Sequence, residues 1–359
     1  MSTTEYKAVI FARRPGFRPL ALDLYVPENP EALCVYLHGG GWRAGSRTAG
    51  PGNVTTGKPG FFPYAVSTGL AIASVDYRLS AEAQFPAQLD DVTAALDFLA
   101  EHRADFGITT DRTVIWGVSA GGHLAALAAL TQPPALTPPP ALTPPPALTP
   151  PPALTPPPAL TPPPALTPSP ALTPSPALTP SPALTPSPAL TPSPALTPPA
   201  ATTLPAAPAQ LAAQEPAPTS DRPARPRISA VVCWYPVTDL DALAKDIAEA
   251  GGRPDRSAAS REGSLLGAAL DDVPDLVAAA SPVHHVRRGA PPFLFLHGDA
   301  DLAVPARQSE RLAEALRAAG GTATVVLVPG AGHMFPELDE PSTRAVTDRS
   351  VRFLLDHAV

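Results

Sequence analysis

Cysteine is scarce in this chain. Two residues, Cys34 and Cys233, occur among 359, too few for a disulfide framework. Both lie in apolar, strand-like runs, which points to buried free thiols in a reducing compartment and a cytoplasmic location. Long apolar runs are also missing, and none reaches the roughly 18 to 20 residues needed to cross a bilayer. The opening Met1-Ser2-Thr3-Thr4-Glu5-Tyr6-Lys7 carries no basic stretch followed by an apolar one, so no secretion signal is expected. Basic character is lacking too. Lys and Arg total 25 against 32 Asp and Glu, a formal charge of −7, which leaves no footprint for nucleic acid. The glycine run is not followed by Gly-Lys-Ser/Thr, and no GxGxxG spacing occurs, which argues against phosphate binding. A metal site is not expected either, because adjacent His284 and His285 would point apart on a helix or a strand. No cofactor is called for.

Proline is abundant but unevenly spread. Of 53 prolines, 35 fall between Thr131 and Pro226. Ala-Leu-Thr-Pro begins at Ala135 and recurs every six residues to Ala195, first as ALTPPP and then as ALTPSP, and no charged residue lies between Thr131 and Gln214. Two or three prolines in six remove too many ladder donors for a β-helix. Residues 131–227 are therefore expected to form a Pro-rich insertion, polyproline II or disordered. Its roles could be a ligand for Pro-recognising domains, a spacer arm, or a repeat expansion tolerated in a surface loop. The near-identity of the copies favours the last. Residues 1–130 and 228–359 suffice for one large α/β domain.

Within that domain, apolar strand-like runs alternate with helical ones. Glu5 to Ala12 and Leu20 to Val26 read as an opening hairpin. Strands follow at Ala32–Leu37, Ala71–Tyr77, Thr113–Trp116, Ile228–Tyr235, Pro292–Leu296 and Thr324–Val328. Helices are predicted at Phe61–Ser67, Asp90–Arg103, Gly122–Leu130, Gln308–Ala319 and Thr343–His357. Such alternation predicts a mostly parallel sheet covered on both faces, with its site at the carboxyl ends of the strands. Residues 239–286 form a helical excursion. Its Leu240, Leu243, Ile247, Leu265, Leu266, Leu270, Leu276 and Val277 suit either a cap over the site or ordinary core packing.

The chemistry concentrates at Gly117-Val118-Ser119-Ala120-Gly121, between a strand and a helix. Glycines on either flank allow a turn tight enough to hold the serine hydroxyl clear of the sheet. A serine nucleophile needs a base, and the base needs an acid to fix its tautomer. Ser119, Asp301 and His333 each follow a predicted strand, in the order nucleophile, acid, base. Of eight histidines, only His333 sits on a glycine-rich loop directly after the last strand. Asp299 competes with Asp301 but lies nearer the strand end, where it suits a turn cap. His297 is expected to order the same turn. His38-Gly39-Gly40-Gly41 fits an oxyanion-hole element, with Gly40, Gly41 and Ala120 as N–H donors and Trp42 as a substrate contact.

These segments together resemble the α/β-hydrolase superfamily. They are similar to its carboxylesterase branch, which includes hormone-sensitive-lipase-type esterases and bacterial feruloyl-esterase-like enzymes. The residues that carry the likeness are His38-Gly39-Gly40-Gly41-Trp42, Asp76-Tyr77-Arg78-Leu79, Gly117 to His123, His297 to Pro305, and Gly330-Ala331-Gly332-His333. The acid motif fits the feruloyl-esterase-like group better. The resemblance implies a serine esterase acting on a small-molecule carboxylic ester, and it implies that Asp76 and Arg78 are structural, expected as an ion pair. Arylformamidases share the pattern, so amide hydrolysis stays open. A Pro-rich interaction protein on a hydrolase scaffold is the reading from another class. The Pro-rich tract departs from the family, whose members usually pass from the helix after the serine to the next strand in a short loop.

Overall fold

Six-residue runs with no polar alternation, such as Ala32–Leu37, Leu70–Val75 and Thr113–Val118, suit strands covered on both faces. In the computed structural model every residue of all three is buried. The structure describes residues 2–51, 60–131 and 226–358. The repeat array and nearly all of the expected 131–227 insertion lie outside the described residues.

Numbered along the chain, the strands are β1 (Thr3–Ala12), β2 (Leu20–Pro27), β3 (Ala32–Leu37), β4 (Leu70–Val75), β5 (Thr113–Val118), β6 (Ile228–Trp234), β7 (Phe293–Gly298) and β8 (Ala323–Val328). They form one sheet in the order β1-β2-β4-β3-β5-β6-β7-β8. The β1–β2 and β2–β4 pairs are antiparallel and the rest are parallel. The helices are α1 (Phe61–Val66), α2 (Ala87–His102), α3 (Ala120–Leu130), α4 (Leu240–Glu249), α5 (Arg261–Leu266), α6 (Pro274–Ala279), α7 (Arg307–Ala318) and α8 (Glu340–Asp356). One apolar layer joins α2, α3 and α7 to one face of the sheet. The other sets α1 and α8 against the opposite face. This is the α/β-hydrolase fold.

Two helices start a turn earlier than their periodicity indicates. In α2 the apolar stripe begins at buried Leu89, upstream of Asp90. In α8 the first turn holds Pro341, which fits there because its missing N–H would have no intrahelical partner. Asp339 caps that turn by accepting from the Ser342 N–H. The eight apolar residues of the 239–286 excursion all join the layer that holds α2, α3 and α7. Cys34 and Cys233 are free and buried, and burial pushes both thiols up. Among the described residues, no helix is long and apolar enough to cross a membrane.

α3 is buried along its whole length. Its Ala- and Gly-rich sequence allows the backbone to approach its neighbours closely. A Cβ added at Gly117 would lie 2.1 Å from the Gly121 carbonyl oxygen, and one added at Gly121 would lie 2.1 Å from the Leu37 oxygen. Backbone meets backbone at both places, so no side chain can give way. Gly121→Ala is expected to cost at least about 3 kcal/mol. Gly60→Ala, where the added carbon meets nothing within 4 Å among the described residues, should cost less than about 1 kcal/mol. Urea midpoints of the two variants check the contrast.

Candidate active site

β3, β5, β7 and β8 are parallel, so the loops that follow them leave from one edge of the sheet. The sharpest of these turns follows β5. Ser119 takes φ 52° and ψ −118°, a strained conformation for a side chain and one that persists only where its surroundings enforce it. Its N–H donates to the Trp234 carbonyl at 2.9 Å, and its carbonyl accepts from the His123 N–H at 3.0 Å.

The three residues expected to act together meet at this edge. Ser119 Oγ lies 3.0 Å from His333 Nε2, and His333 Nδ1 lies 2.7 Å from Asp301 Oδ2. The Asp301 side chain has no solvent exposure, whereas that of His333 is 17% exposed. The Ala303 and Val304 N–H groups donate to Asp301 Oδ1 at 2.9 and 2.8 Å. Burial alone would raise the Asp301 pKa. Hydrogen bonds from His297 and His333, the His333 charge and the Val304 N–H outweigh burial and hold the carboxyl well below the usual carboxylate range. Asp299 is instead exposed and accepts from the Gly330 N–H at 2.7 Å, tying the acid loop to the histidine loop. His297 spans Val304 O and Ser309 Oγ at 2.6 and 2.7 Å.

The glycine run after β3 is held from several sides. Gly40 and Gly41 have φ of 119° and 59°, and the Gly40 carbonyl accepts from the Arg43 and Ala44 N–H groups at 3.1 Å. Ala120 is the first residue of α3, where an N–H has no partner within its helix. Gly39, absent from the expected donor set, also lies against this turn: an added Cβ there would lie 3.4 Å from Ser119 Cβ.

One expectation, the Asp76–Arg78 pair, is corrected. Trp42, expected as a substrate contact, is only 1% exposed. Its Nε1–H donates to His123 Nδ1 at 3.2 Å, and His123 Nε2–H donates to the Ala280 carbonyl at 2.7 Å. Asp76 and Arg78 do not pair with each other. Asp76 takes Arg47 Nη1 at 2.7 Å, and Arg78 takes Asp91 at 2.8 Å. Each finds its partner on another element, Arg47 in the loop after β3 and Asp91 on α2.

Other residues at the site went unread in the sequence. Tyr235, directly after β6 and at φ 39°, sets its ring against His333 at 4.9 Å. Buried Phe335 anchors the histidine loop against Trp234 and Tyr235 at 5.6 and 4.9 Å. Arg43 binds the Ala259 and Ser260 carbonyls and Ser264 Oγ. The available signal was position: each lies within a few residues of a strand's carboxyl end. Among the described residues, no three His, Cys, Asp or Glu side chains gather so as to hold a metal ion.

Burial lowers the His123 pKa from 6.5 to about 4, with the Ala280 hydrogen bond offsetting only part of the effect and His285 lowering it further. Between those two values the unfolded chain binds a proton that the folded protein does not, so stability rises with pH across that window. Wild type should lose about 2 to 3 kcal/mol more than His123→Asn between pH 7 and 4.5, measured by urea midpoints.

A family model described as BD-FAE matches residues 22–136 and 210–316, and one described as TAP-like protein matches 275–358. The chain is 37% identical over 117 residues to carboxylesterase NlhH of Mycobacterium tuberculosis, covering 32% of this chain and 34% of that one. It is 25% identical over 349 residues to esterase LipQ of the same organism, covering 95% of this chain and 60% of that one. The chain thus spans about a third of NlhH and three fifths of LipQ. Among solved structures, a truncated carbohydrate esterase from gut microbiota superposes with a TM-score of 0.61 at 22% identity, covering 99% of this chain and 96% of that one, a likeness of fold. The strained serine turn, the strand order and a family match over more than half its length agree: the chain belongs to the BD-FAE family of α/β-hydrolases.

Proposed function

We propose that the protein is a serine hydrolase that cleaves small carboxylic esters through an acyl-enzyme. The observation that carries this reading is the continuous path from Ser119 Oγ to His333 Nε2 at 3.0 Å and from His333 Nδ1 to Asp301 Oδ2 at 2.7 Å. The esterase relatives support the bond type. His333 takes the Ser119 proton as Oγ attacks the acyl carbon, and an Oγ–C bond forms. Negative charge moves to the former carbonyl oxygen, where the N–H groups of Gly40, Gly41 and Ala120 receive it. The C–O bond to the alcohol then breaks, and His333 hands its proton to the leaving oxygen. In the second half, water gives a proton to His333 and attacks the acyl carbon. The acid leaves and the proton returns to Ser119. Ionised Asp301 keeps Nδ1 protonated and steadies the imidazolium in both halves.

In this reading the hydrolase domain comprises residues 1–130 and 228–359, and 131–227 is an insertion outside its chemistry. The buried, unpaired thiols suit a cytoplasmic enzyme.

Ser119→Ala should lower kcat on a p-nitrophenyl butyrate substrate by about 10⁴-fold or more, because the three residues act as a unit. A fluorophosphonate should label Ser119 in the wild type. Residual activity above about 1% of wild type would sink the assignment. Faster turnover of N-formylkynurenine than of any ester would move the reading to amide hydrolysis. Replacing residues 132–225 by a short Gly/Ser linker should leave kcat/KM within about threefold, since loop length costs little once the ends are placed.

A further inference from the structure

Ser260 caps α5, accepting from the Gly263 N–H at 2.8 Å, and Arg261 opens the helix. Arg43 fastens this segment to the glycine loop by binding the Ala259 and Ser260 carbonyls and Ser264 Oγ. The Arg261 side chain then lies across Gly41. A Cβ built on Gly41 would meet Arg261 Cδ at 3.0 Å, Cγ at 3.5 Å and Nε at 3.7 Å. Gly41 is two residues from Gly39, whose own added Cβ would lie 3.4 Å from Ser119 Cβ. Two residues of chain span at most about 7 Å, so the loop that Arg261 covers is the one that reaches Ser119.

Among the described residues, the guanidinium makes no hydrogen bond or ion pair. Arg261 is exposed, and among the described residues no carboxylate comes within 4.0 Å of it. Burial pushes the Glu262 carboxyl up, and its own N–H, Arg261 and Arg43 offset this only in part. The residues beside the acid and the base contrast with this side. Leu302 and Met334 are 54% and 38% exposed, so exposed apolar side chains adjoin Asp301 and His333 in sequence while a cation lies over the glycine loop.

We propose that Arg261 forms a carboxylate-binding subsite beside the oxyanion loop, and that the enzyme prefers monoesters of dicarboxylic acids over neutral esters. This rests on Ser119 as the nucleophile of an ester hydrolase. With the scissile carbonyl oxygen at the Gly40 and Gly41 N–H groups, a second carboxylate a few bonds along the acyl chain falls beside the guanidinium. An Arg fork meets a carboxylate with two parallel N–H···O bonds, a geometry that an ester or amide at the same place cannot fully use.

The test compares monomethyl glutarate with dimethyl glutarate, which differ in one charge and a methyl group. Substitutions are Arg261→Met, which keeps the aliphatic stem over Gly41, and Arg261→Lys, which keeps the charge but not the fork. The wild type should show a KM for the monoester at least tenfold below that for the diester, and 0.5 M salt should narrow the gap. Arg261→Met should close it, and Arg261→Lys should recover part of it. Equal KM values in the wild type, or a ratio unmoved in Arg261→Met, would overturn the subsite. A parallel loss on both esters in Arg261→Met would also overturn it and leave the side chain as packing for the loop. Absence of Ser119-dependent turnover of either ester would instead remove the underlying reading, and fluorophosphonate labelling separates that case.

Discussion

The molecule is organised around a steric demand at the end of β5. Gly117 and Gly121 bring the start of α3 so close to its own strand, and to the carbonyls of Leu37 and His38, that no methyl fits between them. That contact forces Ser119 into a backbone region costing of order 1 to 3 kcal/mol. It also fixes the distance between the β5 turn and the loop after β3. The proposed nucleophile and the N–H groups proposed to serve it must hold a relative position to a fraction of an ångström. Here main chain sets that position, and main chain cannot rotate away as a rotamer can.

The remaining loops are pinned by side chains whose work is mostly positional. Trp42 hangs from His123, which in turn holds Ala280. Arg47 joins Asp23 on β2 to Asp76 beyond β4, and Tyr77 donates to the His38 carbonyl while stacking on the His38 ring. A buried ion pair is a weak source of net stability once desolvation is counted. It is a strong source of geometry, because breaking it leaves a charge without a partner. Arg47, whose guanidinium reaches two buried carboxylates, works in this sense.

The fold, and the meeting of Ser119, Asp301 and His333, were legible because they are written locally. A strand, a glycine-flanked serine and a helix are adjacent in sequence, and Asp301 and His333 each follow a strand within five residues. Parallel pairing alone carries such positions to a common edge. The partners of Asp76 and Arg78 were not legible, since the choice among nearby charges depends on what distant elements bring there, here Arg47 and Asp91. The partner of Trp42 was hidden for a related reason, since only the packing of α3 shows that His123 claims its N–H. Tyr235 and Phe335 carry no motif. Their importance comes from contact with His333 and with each other across elements roughly a hundred residues apart.

α3 runs from the reactive edge of the sheet back to the opposite one, where Arg287 Nε–H donates to the Leu130 carbonyl at 3.0 Å and Thr131 Oγ–H to that of Leu127 at 2.7 Å. β6 begins at that same far edge with Ile228. A segment spliced in between Leu130 and Ile228 would therefore leave and rejoin the described chain at the edge of the sheet opposite the Ser119 turn.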